Sequence, residues 1–461
     1  MPTHDSRAPF ATSLRTLTAL ALPIAGVQVG MMLMGVVETV ICGHVSPVAL
    51  AAVALGHLYL FCVLVFGMGV LSTLDALVSQ GLGAGDESQV TLAVQRGVLL
   101  ALVMSVVATL LYLPAEQVFR ALGQPEEVVP AAGAFIRYSI AGALPLLLFF
   151  AFRLTLQAMH HTRPAVVTII AANVINAVVC GALTLGWFGL PRLGVVGAAW
   201  AGTIARWTMA AMLLWLGRRE LMPRLRPWRR ESTDRAALGR MLALGAPIGA
   251  TASMEFGMFG GAALLMGRFG TVAVAAHQVA ISIASFTFMV PAGIAGAASV
   301  LVGRAVGRDD LPGARHAAGA ALVLGLGWMV VTSLLFFTIP GPLASVYTPD
   351  HAVLALASVL LVVGGFFQIF DCTQVIAMGI LRGLGDTRAP MWITVLGYMM
   401  VGLPVGVLLG FRFGLGPVGL WWGLVAGLAA VSVMLVWRIR SRLTRALQRV
   451  RIDAVGVAGA E

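Results

Sequence analysis

Long apolar stretches alternate along this chain with short breaks rich in Arg, Pro and Gly. A helix that crosses the hydrocarbon core of a bilayer takes about 20 residues. On that measure the pattern predicts twelve transmembrane helices, near residues 15–39, 48–78, 92–114, 131–156, 163–186, 195–217, 240–266, 273–302, 316–340, 352–380, 390–412 and 418–437. The first stretch follows Arg7 and Arg15, as a secretory signal would. It runs on through Gln28 to Cys42 without a small-residue cleavage site, so it reads as an uncleaved first span. The fold class is all-α, a polytopic membrane protein.

The pattern repeats. Shifted by 224 residues, PIAGVQVGMMLMGVVETVICGHVSPVALAAV from Pro23 falls on PIGATASMEFGMFGGAALLMGRFGTVAVAAH from Pro247, and VSQGLGAGD falls on VGRAVGRDD. At a shift of 225 LQAMHHTRP meets LRGLGDTRA, and at 222 GVVGAAWAG meets GPVGLWWGL. The chain therefore reads as two six-helix lobes, residues 1–217 and 240–437, joined by an Arg-rich loop at 218–239 and followed by a basic tail at 438–461. Six is even, so both lobes enter the membrane from one face. Such repeats are related by a pseudo-two-fold along the membrane normal, with a site at the repeat interface.

Composition agrees. Of 461 residues 59% are hydrophobic and 11% charged, where a soluble globule carries about 25% charged. The net charge of +11 rests on arginine alone, since no lysine occurs. Of the 30 arginines, 23 fall on the side of both termini, four (Arg120, Arg192, Arg268 and Arg412) on the other, and Arg137, Arg153 and Arg206 within spans. Positive residues stay cytoplasmic, which puts both termini there. Basic clusters can also mark nucleic-acid binding, but beside so many spans they read as topology signals and no nucleic-acid partner is expected. Cys42, Cys62, Cys180 and Cys372 have neither metal-ligand nor disulfide spacing and read as packing. No GxxxxGK[ST] loop is present, so ATP does not drive the protein directly.

Only four of the 19 acidic residues lie within spans: Glu38, Asp75, Glu255 and Asp371. An acid at that depth costs several kcal/mol unless it pairs, protonates or faces water. None is duplicated: Glu255 falls opposite Met31, Glu38 opposite Ala262, Asp371 opposite Leu146 and Asp75 opposite Ser299. Scaffold features recur in both lobes, so lobe-specific acids favour function.

Several stretches together resemble the multidrug and toxic compound extrusion (MATE) transporters, and within them the NorM-like branch. They are ETVICGHVSPVALAAVALG at Glu38, LDALVSQGLGAG at Asp75, SMEF at Glu255, AAHQVAISIASFTFMVP, FDCTQ at Asp371, LRGLGDTRAP and GLGPVGLWWGL. The resemblance covers Leu14 to Trp437. It implies antiport, in which organic, often cationic compounds leave the cell against an inward flow of Na+ or H+, with Glu255 and Asp371 as the coupling site. The first-helix acid of NorM-like members is more commonly Asp; here it is Glu38.

The residues fit that expectation. Glu255 shares a helix stripe with Thr251, Met258 and Phe259, and Asp371 shares one with Phe367, Gln368 and Gln374. A stripe of carboxylate, hydroxyl and polarizable groups suits a greasy cation; the bland alternative for Glu255 is neutralisation by Arg206 or Arg153. Two carboxyls buried together resist ionisation, so such a pair takes up a proton, or Na+ through its oxygens, and gives either up to an organic cation. The cavity set is completed by Gln28, Glu38, Asn173 and Asn176 in the first lobe and by Gln278, Ser285 and Phe288 in the second. Asn173 and Asn176, the only asparagines, serve equally well as helix glue. Phe256, Phe259, Phe286, Phe288, Phe366, Phe367 and Phe370 divide between core and cation-π contact. Asp75 reads as helix-end structure. No cofactor is called for beyond Na+ or H+ as coupling ion. The partners are drug-like organic cations and membrane lipids, the protein acting as a monomer in the bacterial inner membrane. A lipid-linked precursor flippase would want several basic residues facing the cleft, and a membrane enzyme a clustered His, Asp or Ser constellation; neither pattern is visible.

Overall fold

A computed structural model describes residues 10–453. Among the described residues the regular structure is helical throughout. The twelve long helices are α1 Phe10–Gly43, α2 Pro47–Gly83, α3 Glu87–Tyr112, α4 Val129–Ala158, α5 Arg163–Leu185, α6 Val195–Leu216, α7 Arg235–Met266, α8 Thr271–Gly307, α9 Leu311–Thr338, α10 His351–Gly383, α11 Arg388–Arg412 and α12 Gly416–Leu443. Eleven of them are long and apolar enough to cross a membrane. The other, α6, has 22 residues, but Arg206 and the ring nitrogens of Trp200, Trp207 and Trp215 lower its hydropathy. Helices such as α1, with 34 residues, outrun the apolar stretches that predict them because their polar ends continue beyond the apolar core.

The duplicated loop motifs acquire a reason. At the end of α2 the N–H of Asp86 bonds to Gly81 O at 2.9 Å, Gly85 is left-handed (φ 70°), and the Asp86 carboxylate caps α3 through Gln89 N. At the end of α8 the same turn recurs: Asp310 N to Ala305 O at 2.9 Å, Asp309 left-handed (φ 56°), and Asp310 capping α9 through Gly313 N. His160 (φ 63°) and Gly385 (φ 74°) hold the equivalent left-handed positions after α4 and α10. These are helix C-caps in which six-to-one bonds use the orphan carbonyls, followed by an Asp N-cap in the first pair.

The lobe boundaries differ from those the repeat predicts. One compact unit comprises residues 1–25 with 250–450, the other 26–249 with 451–461. Both divisions of the helical segments fall two residues after a proline inside a helix, Pro23 in α1 and Pro247 in α7. Proline removes a helical hydrogen bond and kinks the chain. Small residues then let each first segment pack closely. A Cβ at Gly293 of α8 would stand 2.7 Å from Ala21 O, and one at Gly69 of α2 would stand 2.4 Å from the Gly249 Cα. These are the same contacts at an offset of 224. The tail is corrected as well. α12 extends to Leu443, and residues 451–453 join the unit of α2 to α6. The buried Arg96 guanidinium donates to both Asp453 oxygens, at 3.0 and 2.5 Å, and to Glu231 O. Gln95 grips the 218–239 segment by accepting from Arg229 N and donating to Arg224 O and Pro227 O, each at 3.0 Å.

Within the other unit α10 is the hub, packed chiefly against α8, α12 and α9. Gly379 and Gly383, one turn apart, lie against Ala295 O and Ser299 O of α8, the close approach that small residues permit in membranes. α11 contains two π-helical segments, Leu396–Gly402 and Leu408–Arg412, on either side of Pro404. Pro404 cannot donate a backbone bond, and wider turns beside it take up the misfit.

Candidate functional site

Glu255 lies partly buried in the middle of α7. Its Oε1 accepts a 2.5 Å hydrogen bond from Gln374 Nε2 of α10. The Gln374 Oε1 in turn accepts from the Tyr398 hydroxyl at 2.8 Å. Tyr398 sits in the first π segment of α11 and is buried. An amide has one donor end and one acceptor end; with Tyr398 bonded to the oxygen, the NH2 must face Glu255. Asp371, one turn before Gln374 on α10, is also buried, and Asp371 and Arg382 are the charged groups that act on Glu255. Neither arginine weighed as its counter-ion reaches it: Arg153 lies 4.4 Å over the Phe150 ring beside Gln28, and Arg206 lies against Gly142. Two carboxyls, one amide and no bonded cation make a site that accepts either protons or cations.

Around this pair, Phe367 is buried and meets Phe259 edge-on, with ring centres 6.0 Å apart. Gln368 donates to Thr287 Oγ1 at 2.5 Å. Thr251 is buried, Met258 and Phe288 are half-buried, and Gln278 is exposed. The Ser285 hydroxyl is bonded to Ile281 O of its own helix at 2.7 Å. His277, read as the polar start of α8, accepts from Trp421 Nε1 at 3.2 Å.

A second cluster forms in the unit of α2 to α6. Glu38 of α1 is 2% exposed and its Oε1 accepts from Asn176 Nδ2 of α5 at 2.7 Å. Its Oε2 stands 2.9 Å from Nε2 of His57, on α2. Gly202 of α6 makes room, since a Cβ there would lie 2.8 Å from Glu38 Oε1. The two asparagines thus divide: Asn176 holds the acid, whereas Asn173 ties α5 to α1 through Gly30 O at 2.9 Å. Gln28 accepts from Arg153 at 3.4 Å. Asp75 is fully buried and takes a 3.4 Å hydrogen bond from Gln157 of α4, away from both clusters.

The MatE family profile matches residues 23–181 and 247–408, two segments whose starts are 224 residues apart. The chain belongs to the MatE family. It is 38% identical, over 95% of its length and 96% of the relative's, to a probable multidrug resistance protein NorM of Xanthomonas axonopodis pv. citri. It is 34% identical to the multidrug resistance protein PmpM of Pseudomonas aeruginosa, over 97% and 96% of the two chains. Its fold is that of the eukaryotic MATE transporter AtDTX14 (TM-score 0.86, 21% identity, 95% and 98% coverage) and of the Vibrio cholerae MATE transporter VcmN in a bent form (TM-score 0.84, 19% identity, 94% and 98% coverage). This MatE protein is a membrane transporter and not an enzyme.

Sequence reasoning missed Tyr398 and His57. Both act from a helix that carries no acid, so no spacing along one helix reports them. For Tyr398 the role can be tested. Tyr398→Phe should leave the protein folded but free the Gln374 amide to turn its oxygen toward Glu255, lowering dye efflux several-fold. Efflux equal to wild type from pH 6 to 8 would mean that Gln374 is held another way.

Proposed function

We propose that this MatE protein is a multidrug efflux antiporter. It exports organic, mostly cationic amphipathic compounds in exchange for Na+ or H+ by alternating access of its two halves, in the bacterial inner membrane with both termini cytoplasmic. The observation that carries the reading is the Glu255 carboxylate, inside an apolar span, bonded to a neutral amide and sharing its surroundings with Asp371. A carboxylate so placed gains most by taking a cation of some kind. The family and the multidrug resistance names of relatives at 34 to 38% identity support the choice of cargo.

When a proton or Na+ occupies the pair, the negative charge that attracts an organic cation is gone; when the organic cation binds, the coupling ion is released. Exchange then follows from competition for one charge. Purified protein in liposomes, loaded with ethidium and given either an imposed pH gradient or an imposed Na+ gradient at fixed pH, separates the ions. Dye movement driven by one gradient names the coupling ion. Dye movement indifferent to both overturns antiport.

A further inference from the structure

The Glu38 and His57 pair raises a separate question. Glu38 Oε2, His57 Nε2 and Asn176 Oδ1 are buried atoms that complete no hydrogen bond among the described residues, although the first two stand 2.9 Å apart. Buried polar atoms left in this way call for an explanation. The pair is also specific to one half of the chain. At the offset of 224, Glu38 meets Ala262 and His57 meets Ile281, so neither belongs to the duplicated scaffold.

We propose that Glu38 and His57 together hold a single proton, and that His57 is the specificity-determining residue that makes this acid answer to protons rather than to Na+. The inference rests on the antiport reading above. Its basis is electroneutrality. With one proton between them, the pair is a carboxylate beside an imidazolium and carries no net charge, which is how an acid 2% exposed is tolerated without an arginine. A second proton would leave a net positive charge in apolar surroundings, and loss of the first a net negative one. The negative state is the one that attracts an organic cation, so cargo and proton exchange at the pair. Imidazole is the side chain that changes charge between about pH 5 and 8, and a quarter of the His57 surface remains open to a proton donor.

The same geometry disfavours Na+. A Na+ ion would use the hard oxygens Glu38 Oε2 and Asn176 Oδ1, but an imidazolium 2.9 Å from Oε2 repels it. The remaining groups around the pair leave the charge balance to His57. Phe135 of α4 meets the His57 ring edge-on at 5.1 Å. The Cys42 and Cys180 thiols on α1 and α5 are the other titratable neighbours. Arg206 is directed to Gly142, and Arg137 pairs with Glu116.

The test uses purified full-length protein in detergent and ethidium as the probe, with binding followed by fluorescence polarisation. One series varies pH from 6 to 8 without Na+; the other varies NaCl against choline chloride at fixed pH. In wild type, ethidium binds more weakly as pH falls. His57→Gln replaces the proton-carrying ring by an amide whose oxygen is a Na+ ligand. It should reduce the pH-dependent change in affinity at least threefold and make NaCl compete with ethidium at least threefold more strongly than in wild type. Glu38→Gln should lose the same part of the pH response without gaining the Na+ response, and it carries the test if His57→Gln does not fold. A pH response unchanged in either folded variant overturns the proposal and leaves antiport standing. A wild-type protein indifferent to both pH and Na+ overturns both.

Discussion

Glu255→Gln and Asp371→Asn should each abolish resistance to cationic dyes while the protein reaches the membrane in near-normal amounts. Both replacements keep the shape of the side chain and remove its charge. For the fold this is a relief, since a buried charge carries a desolvation cost that a neutral amide avoids. For transport it is a loss, because a charge-assisted contact contributes roughly 1.5–3 kcal/mol, or about tenfold to a hundredfold in affinity. The sign with pH is fixed by competition. Protonation of the wild-type pair displaces the organic cation, so ethidium binding should weaken as pH falls; in the variants that part of the dependence should flatten. Dye efflux in cells, normalised to the amount of protein in the membrane, reads the first effect, and ethidium binding from pH 6 to 8 the second. Wild-type efflux in either variant would remove Glu255 and Asp371 from the mechanism.

Gln374 shows where the sequence was legible and where it was not. Its place on the Asp371 stripe is visible from helical spacing, because residues three or four apart share a face. That its amide faces Glu255 of α7 and is turned by Tyr398 of α11 is not visible, since these contacts cross three helices. The same holds for Glu38. Its unusual position in an apolar span is plain in the chain, but His57 lies 19 residues on, in another helix, among histidines that look alike in sequence. The spans and the two halves were legible because hydropathy and repetition are carried by many residues at once. The exchange of the first segments of α1 and α7 between units was not, although Pro23 and Pro247 mark both places. A proline indicates that a helix can bend, whereas what the bent segment packs on depends on glycines such as Gly69 and Gly293, far away in the chain.

Gly423→Val should be among the most damaging changes outside the two acid clusters. α11 and α12 meet along Gly402, Gly406 and Gly410 on one side and Gly427, Gly423 and Gly419 on the other, each set spaced by one turn. A Cβ at Gly423 would stand 2.2 Å from the Gly406 Cα, one at Gly419 2.5 Å from the Gly410 backbone nitrogen, and one at Gly427 2.9 Å from the Gly402 Cα. The groups in the way are backbone, which cannot swing aside, so the two helices must move apart. Overpacking of this kind costs about 1–3 kcal/mol where side chains can adjust, and here backbone faces backbone. The displacement would not stay local. α11 carries Tyr398, which orients Gln374, while α12 carries Trp421 and Ser432, bonded to His277 Nδ1 at 3.2 Å and to Phe370 O at 2.7 Å. Gly423→Ala should lower the thermal midpoint of the purified protein by several degrees, and Gly423→Val should leave little folded protein to purify. Val433, 66% exposed on the same helix, supplies the control, and Val433→Ala should melt like wild type. If Gly423→Val also melts like wild type, the seam tolerates separation, and the position of Tyr398 must be fixed by the π-helical turns of α11 alone.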